Sequence, residues 1–183
     1  MLPSGKKYSL TLDDQLPPFP DIPFALQLLG FVDAAHANDL RNRRSTTGYA
    51  FLLSGGVVAY RSKTQTVTAT SSTEAEFIAA VAAAKSAKYL RSILFDLGYI
   101  QETPTPIYVD NISAIQIINA RRPTERSRHI DIQAFAIQEW KDNGDILMHH
   151  IPGVINPSDS LTKPTGWVLH SRHCRRLMGH FSS

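Results

Sequence analysis

The stretch from about Thr73 to Leu97 reads as one long helix, stopped by Gly98 just past its last turn. Successive helical residues turn by about 100°. With Glu76 as the origin, Ala80, Ala83, Ala87, Leu90, Leu94 and Leu97 all fall within roughly 60° of it. That apolar stripe must lie against another layer, and Glu76 sits at its end, pointing inward. A buried carboxylate is costly unless something cationic meets it. Glu74 lies about 160° away, on the other side. A blander reading exists for both acids. Ser71-Ser72-Thr73-Glu74 and Thr73-Glu74-Ala75-Glu76 each have the form of a capping box, and the helix dipole stabilises an acid in the first turn by some tenths of a kcal/mol. A plain cap has no reason to point inward, so the spacing favours chemistry at Glu76 and capping at Glu74.

The layer that receives this stripe is legible on both sides of it. "LLGFVDAA" (28–35) is a short apolar run ending in an acid, a candidate buried strand. "TGYAFLLSGG" (47–56) and "VVAYRSKTQTVTA" (57–69) form a hairpin across a Gly-Gly turn signal. After the helix, "TPIYVD" (105–110) is a fourth strand that also ends in an acid. "NISAIQIINA" is a short helix. "RHIDIQAFAIQEWKDNG" is a longer one, with Ile130, Ala134, Ile137 and Trp140 (or Lys141) at helical spacing. "DILMHHIP" is a fifth strand. In "INPSDSLTKP", Asn156 can cap, Pro157 suits the first helical position, and Asp159 falls in the first turn. The expected fold class is α/β: a five-stranded mixed sheet, three antiparallel strands then two parallel, flanked by helices.

Composition bounds the rest. A chain of 183 residues with 43% apolar content fits one domain with a proper core. The single cysteine, Cys174, permits no internal disulfide and fits a reducing compartment. No apolar run approaches a membrane span, and the start lacks a signal peptide's apolar segment, so a soluble intracellular protein is expected. The net charge is +3, and the three arginines after Gly166 (Arg172, Arg175, Arg176) supply an equal amount. Other positive groups cluster at Arg41, Arg43 and Arg44, at Arg61 and Lys63, and at Arg121, Arg122, Arg126 and Arg128. Such clusters either follow a phosphate backbone or are solvated loops. Residues 1–24, holding five of the eleven prolines, read as a linker or extended arm. The expected organisation is therefore that arm, a domain over 25–165 and a basic tail over 166–183.

Two further acids, Asp33 and Asp110, close strands at the carboxyl side, where open α/β sheets gather ligands. Asp159 follows the fifth strand. Four such carboxylates at one sheet edge would repel by kcal/mol amounts unless cations sat between them. Hard oxygen donors suit magnesium or manganese, and paired metals are the usual device for hydrolysing a phosphodiester.

The motifs "GFVDAAHAND", "RRSTTGYAFLLSGG", "SKTQ", "SSTEAEFIA", "IYVDNISAI", "RSRHIDIQ" and "NPSDSLTKP" cover about residues 28–165. Taken together they resemble the ribonuclease H domain at the end of a copia-type retrotransposon polyprotein. The resemblance implies hydrolysis of the RNA strand of an RNA–DNA hybrid, with Asp33, Glu76, Asp110 and Asp159 holding two Mg2+ ions and Mn2+ able to substitute. It implies a reverse transcriptase domain of the same polyprotein as partner, no membrane, and a cytoplasmic particle or the nucleus as location. Oligomeric state is left open. Hybrid recognition would rest on hydroxyls reading 2′-OH groups across a shallow minor groove. Ser71, Ser72 and Thr73 stand ready for that, with Asn111 beside Asp110 and with Arg44, Ser45 and Thr46 as phosphate contacts. The sequence also departs from the family. Val154 stands where many relatives place a histidine, and His36 where a tryptophan is common; His129 fits helix packing or substrate contact equally well. The alternatives are a catalytically silent scaffold that tethers nucleic acid or a reverse transcriptase, and a strand-transfer enzyme, which would want three acids at other spacings.

Overall fold

Tight turns organise the first half of the chain. In a computed structural model describing residues 26–120 and 128–179 (backbone only for 128–131), β1 (Leu29–Ala35), β2 (Thr46–Leu53) and β3 (Gly56–Thr64) form an antiparallel meander. The proline-rich arm, Arg121, Arg122, Arg126 and the side chains of Arg128 and His129 lie outside the described residues. Ser54 and Gly55 both take positive φ (50° and 85°), the backbone that joins right-twisted strands in a two-residue turn. The turn therefore sits one residue earlier than the Gly-Gly signal suggests. β3 also ends at Thr64, short of the expected Ala69, because Gln65 turns inward and donates to Thr47 and to the Ala75 carbonyl.

The long helix α1 (Ser72–Asp96) follows. Its C-terminus closes as the glycine predicts. Gly98 (φ 84°) donates to the Phe95 carbonyl, and Tyr99 donates to that of Leu94. Leu97 is the cap residue and is 65% exposed, so the inward stripe stops at Leu94, one turn before the periodicity alone would end it. Then come β4 (Thr105–Val109), α2 (Ile112–Asn119), α3 (Arg128–Asp142) and β5 (Ile146–His150). The sheet order is β3-β2-β1-β4-β5, with β1, β4 and β5 parallel. The expected fold class is the observed one.

Each face of this sheet has its own core. On one side α1 lays Phe77, Ala80, Ala83, Ala84 and Ala87 against Val32, Phe51, Ile107 and Val109. Its alanines let the helix approach closely, while Ile118 and Ile137 seal the outer side. Leu29, Phe31, Ala50 and Leu52 point the other way and meet Ile151, Ile155 and Leu177. Leu177 belongs to α4 (Trp167–Leu177), so the basic segment folds back as a helix over the second face. One of its arginines, Arg176, donates to the Ile155 carbonyl at 3.0 Å. Between β5 and α4 the "INPSDSLTKP" segment forms short 3-10 turns, Gly153–Ile155 and Pro157–Leu161, where an α-helical start was expected. Among the described residues no helix is long and apolar enough to cross a membrane.

If α4 is a core element, Leu177→Ala should lose roughly 2–4 kcal/mol, toward the lower part of the range for buried leucines because the helix end can relax. Arg175→Ala, on the exposed side, should change stability by less than about 0.5 kcal/mol. Urea unfolding of both variants checks this; equal losses would show that α4 adds nothing to the core.

Candidate metal centre and nucleic-acid face

The parallel register brings the first two acids together. β1 and β4 pair Gly30 with Ile107, Phe31 with Tyr108 and Val32 with Val109; the next residues are Asp33 and Asp110. Alternation along the strands sets Asp33 on the side of Phe31 and Asp110 on the side of Tyr108, and those two rings stack at 5.3 Å. Asp33 is not the end of its strand, because β1 runs on to Ala35 in antiparallel pairing with β2; it marks where the parallel pairing stops. Glu76 reaches the same point from the first turn of α1, and its Oε1 accepts from the Ala34 backbone N–H at 3.2 Å. One oxygen from each of Asp33, Glu76 and Asp110 lies within 4.8 Å of the others.

This proximity is electrostatically expensive. Burial, then the neighbouring Asp110 and Asp33, push the Glu76 carboxyl up to about 9. Burial and Asp33 push Asp110 up to about 6. Asp33 is raised by burial, against the hydrogen bond it accepts from Thr162. The second oxygen of Glu76 is buried and has no hydrogen-bond partner. An orphaned buried carboxylate oxygen among other hard oxygen donors is what a divalent cation would satisfy, so the residues fit magnesium or manganese.

Asp159 arrives by a different route. Asn156 caps the Pro157–Leu161 turn by accepting from the Ser158 N–H, and its amide donates to the Val32 carbonyl at 2.8 Å, just before Asp33. Thr162 donates to Asp33, and Asn38 donates to the Thr162 carbonyl. Two glycines make room. A Cβ on Gly48 would stand 2.5 Å from Thr162 Cγ2, and one on Gly153 would stand 2.9 Å from Asp110 Oδ2. Asp159 is buried, and its carboxylate pairs with Lys163 rather than closing on the other three acids. Burial works against the Lys163 charge, but the bond to Asp159 and the nearby Asp33 and Asp110 outweigh it and hold its pKa above the usual value.

The two glutamates divide as the helix phase requires. Ser71 accepts from the Glu74 backbone N–H, while the Glu74 carboxylate reaches one residue past the cap and accepts from Thr70, so the first capping box is formed on its Ser71 side and its return bond falls on Thr70. Ser71 and Ser72 are exposed and Thr73 half-buried, at the mouth beside Glu76. Asn111 caps α2 by accepting from Ala114 N–H. Arg44 is exposed; Ser45 is buried and accepts from the Ala37 N–H; Thr46 donates to Asn38. His36 is exposed and its Nε2 lies 3.3 Å from the Ala69 carbonyl, and Val154 is 44% exposed. Sequence reasoning missed Thr162 and Lys163, although the four-residue step from Asp159 to Lys163 is an ion-pair spacing. It also missed His173, fully buried with neither ring nitrogen partnered and lowered to about 4 by burial.

No protein-family model matches the chain. It is 39% identical over 158 residues to a retrovirus-related Pol polyprotein from transposon TNT 1-94 of Nicotiana tabacum, which covers 85% of this chain and 12% of that protein. The fold is similar to an RNase H1 isolated from compost by a metagenomic approach (TM-score 0.56, 14% identity, 75% of this chain and 93% of that one). It is similar also to a foamy viral protease-reverse transcriptase solved with an RNA/DNA hybrid (TM-score 0.54, 17% identity, 88% of this chain and 22% of that one). The chain is thus a homologue of one segment of the retrovirus-related Pol polyproteins of plant transposons, folded as ribonuclease H domains are. It spans about a tenth of the length of those relatives.

The raised Glu76 has a consequence for stability. Between the unfolded value near 4.5 and about 9, the native state keeps a proton that the unfolded chain has released. Stability in chelator should therefore fall as pH rises through that window and level off above it. Glu76→Gln carries no such proton and should flatten most of the slope. Thermal melting from pH 5 to 9 checks this; an unchanged slope in the variant would mean Glu76 is not the group responsible.

Proposed function

We propose that the chain is a metal-dependent ribonuclease H that hydrolyses the RNA strand of RNA–DNA hybrids during retrotransposon reverse transcription, of the copia type. The observation that carries this is the meeting of Asp33, Glu76 and Asp110 within 4.8 Å around a buried, unpartnered Glu76 oxygen. The homology to Pol polyproteins and the ribonuclease H fold support it. Asp33, Glu76, Asp110 and Asp159 would hold two Mg2+ ions, which Mn2+ could replace. Bound divalent ions supply an activated water and stabilise the leaving oxygen.

The chain's own residues do the placing. Asp33 and Asp110 are fixed by strand register, and Glu76 by the Ala34 N–H. Substrate phosphate would complete the coordination, so cations should bind weakly alone and more tightly with hybrid. Ser71, Ser72 and Thr73 would face 2′-hydroxyls at the start of α1, with Asn111 beside Asp110; of the expected phosphate contacts the exposed Arg44 would serve, whereas Ser45 is buried and Thr46 is bonded to Asn38. Residues 25–165 would form the nuclease unit, joined through the proline-rich 1–24 arm to a reverse transcriptase domain, with 166–183 as its basic C-terminal segment. The working place would be intracellular, in a cytoplasmic particle or the nucleus. The second reading, a silent scaffold, predicts no dependence on these acids.

The two glutamates separate the readings. Glu76→Gln keeps the shape and the Ala34 contact but removes a charge the metals need; hybrid cleavage should fall by orders of magnitude while stability holds or rises. Glu74→Gln should keep most activity and lose a few tenths of a kcal/mol through the weakened cap and dipole. Cleavage of a labelled hybrid alongside melting distinguishes them. Equal, mild effects would favour the scaffold, and strong hydrolysis in chelator would remove the metal from the mechanism.

A further inference from the structure

Lys163 has a role that the four acids alone do not explain. From just past the 3-10 segment, its ammonium reaches back to pair with Asp159 Oδ1. Its charge also acts favourably on Asp33, Glu76 and Asp110, so one cation serves all four acids. The side chain is half exposed and borders an open pocket of about 480 Å³ lined by Ser160, Thr162, Thr165 and His170. It thus has room to leave Asp159 without unfolding anything.

We infer that Lys163 is a positioning residue, an exchangeable counterion that holds Asp159 until a divalent cation replaces its ammonium at that carboxylate. This rests on the reading of the site as a metal centre. An ammonium and a divalent cation on one carboxylate repel each other, so a cation binding at Asp159 works against the ion pair and favours its release. Lys163 then lowers metal affinity and, in exchange, relieves the repulsion among the acids when cations are scarce. Direct contact is confined to Asp159, the one acid of the four with an ammonium among the described ion pairs, while the other three feel Lys163 only as a more distant charge.

The test is Mn2+ titration calorimetry on the whole chain, with Lys163→Met, Lys163→Arg, Asp159→Asn and the Lys163→Met/Asp159→Asn double variant. Lys163→Met should bind Mn2+ about threefold more tightly, the size expected from releasing a half-exposed ion pair. Lys163→Arg should restore the wild-type value. In the Asp159→Asn background Lys163→Met should have a clearly smaller effect, the residue of its distant charge on the other acids, since the exchange acts through Asp159. Melting in EDTA should show Lys163→Met less stable than wild type, with the difference vanishing in excess Mn2+. Equal Mn2+ affinity in wild type and Lys163→Met would overturn the exchange. So would a tightening of the same size in the Asp159→Asn background, which would mean a general field effect. If neither wild type nor Lys163→Met binds Mn2+ while both fold, the metal-centre reading fails and takes this inference with it.

Discussion

Three carboxylates, Asp33, Glu76 and Asp110, meet at one end of a sheet against their own repulsion, with Asp159 held beside them by Lys163. Desolvation and mutual repulsion raise Glu76 and Asp110 far from their ordinary values, so the surrounding fold has to hold the acids against their own charge. Backbone geometry does most of this. The β1–β4 register cannot slip by one residue without reversing which side every side chain faces and spoiling both cores. The acids are therefore held by the packing of Val32, Ile107 and Val109 on one side and of Phe31 and Tyr108 on the other.

The same logic explains why α1 is alanine-rich. A helix that presents Glu76 to a strand end must run close to the sheet, and Ala80, Ala83, Ala84 and Ala87 permit that approach. Its start also needs satisfied backbone groups without spending Glu76 on them. Ser71, Thr70 and Glu74 supply those bonds. Capping by one glutamate leaves the other available, and two acids two positions apart on a helix face opposite ways.

What could be read from the sequence follows a physical rule. Glu76 was legible because its direction is set by local periodicity, and Asp33 and Asp110 because apolar runs ending in acids are local too. Leu97 misled because periodicity does not say where a helix ends; the Gly98 closure does. Thr162 and Asn156 were invisible in their second roles, since their partners Asp33 and Val32 lie 129 and 124 residues away. Ser45 reads as a phosphate contact by neighbourhood with Arg44, yet its hydroxyl is turned inward to close the loop at Ala37. The docking of α4 was equally hidden, because its basic surface masks the one turn that carries Leu177 inward.

Support within the centre is uneven, and this sets the acids apart. Asp33, Glu76 and Asp110 stand on or beside regular elements whose hydrogen bonds are shared with many neighbours. Asp159 stands on a five-residue 3-10 turn. Longer runs of that helix are uncommon because its hydrogen-bond geometry is poor. The turn stays in place through side chains instead: Asn156 on Val32, Thr162 on Asp33, and Asn38 on the Thr162 carbonyl. The centre thus combines a trio fixed by strand register and helix phase with one acid whose place depends on a short turn held by side chains.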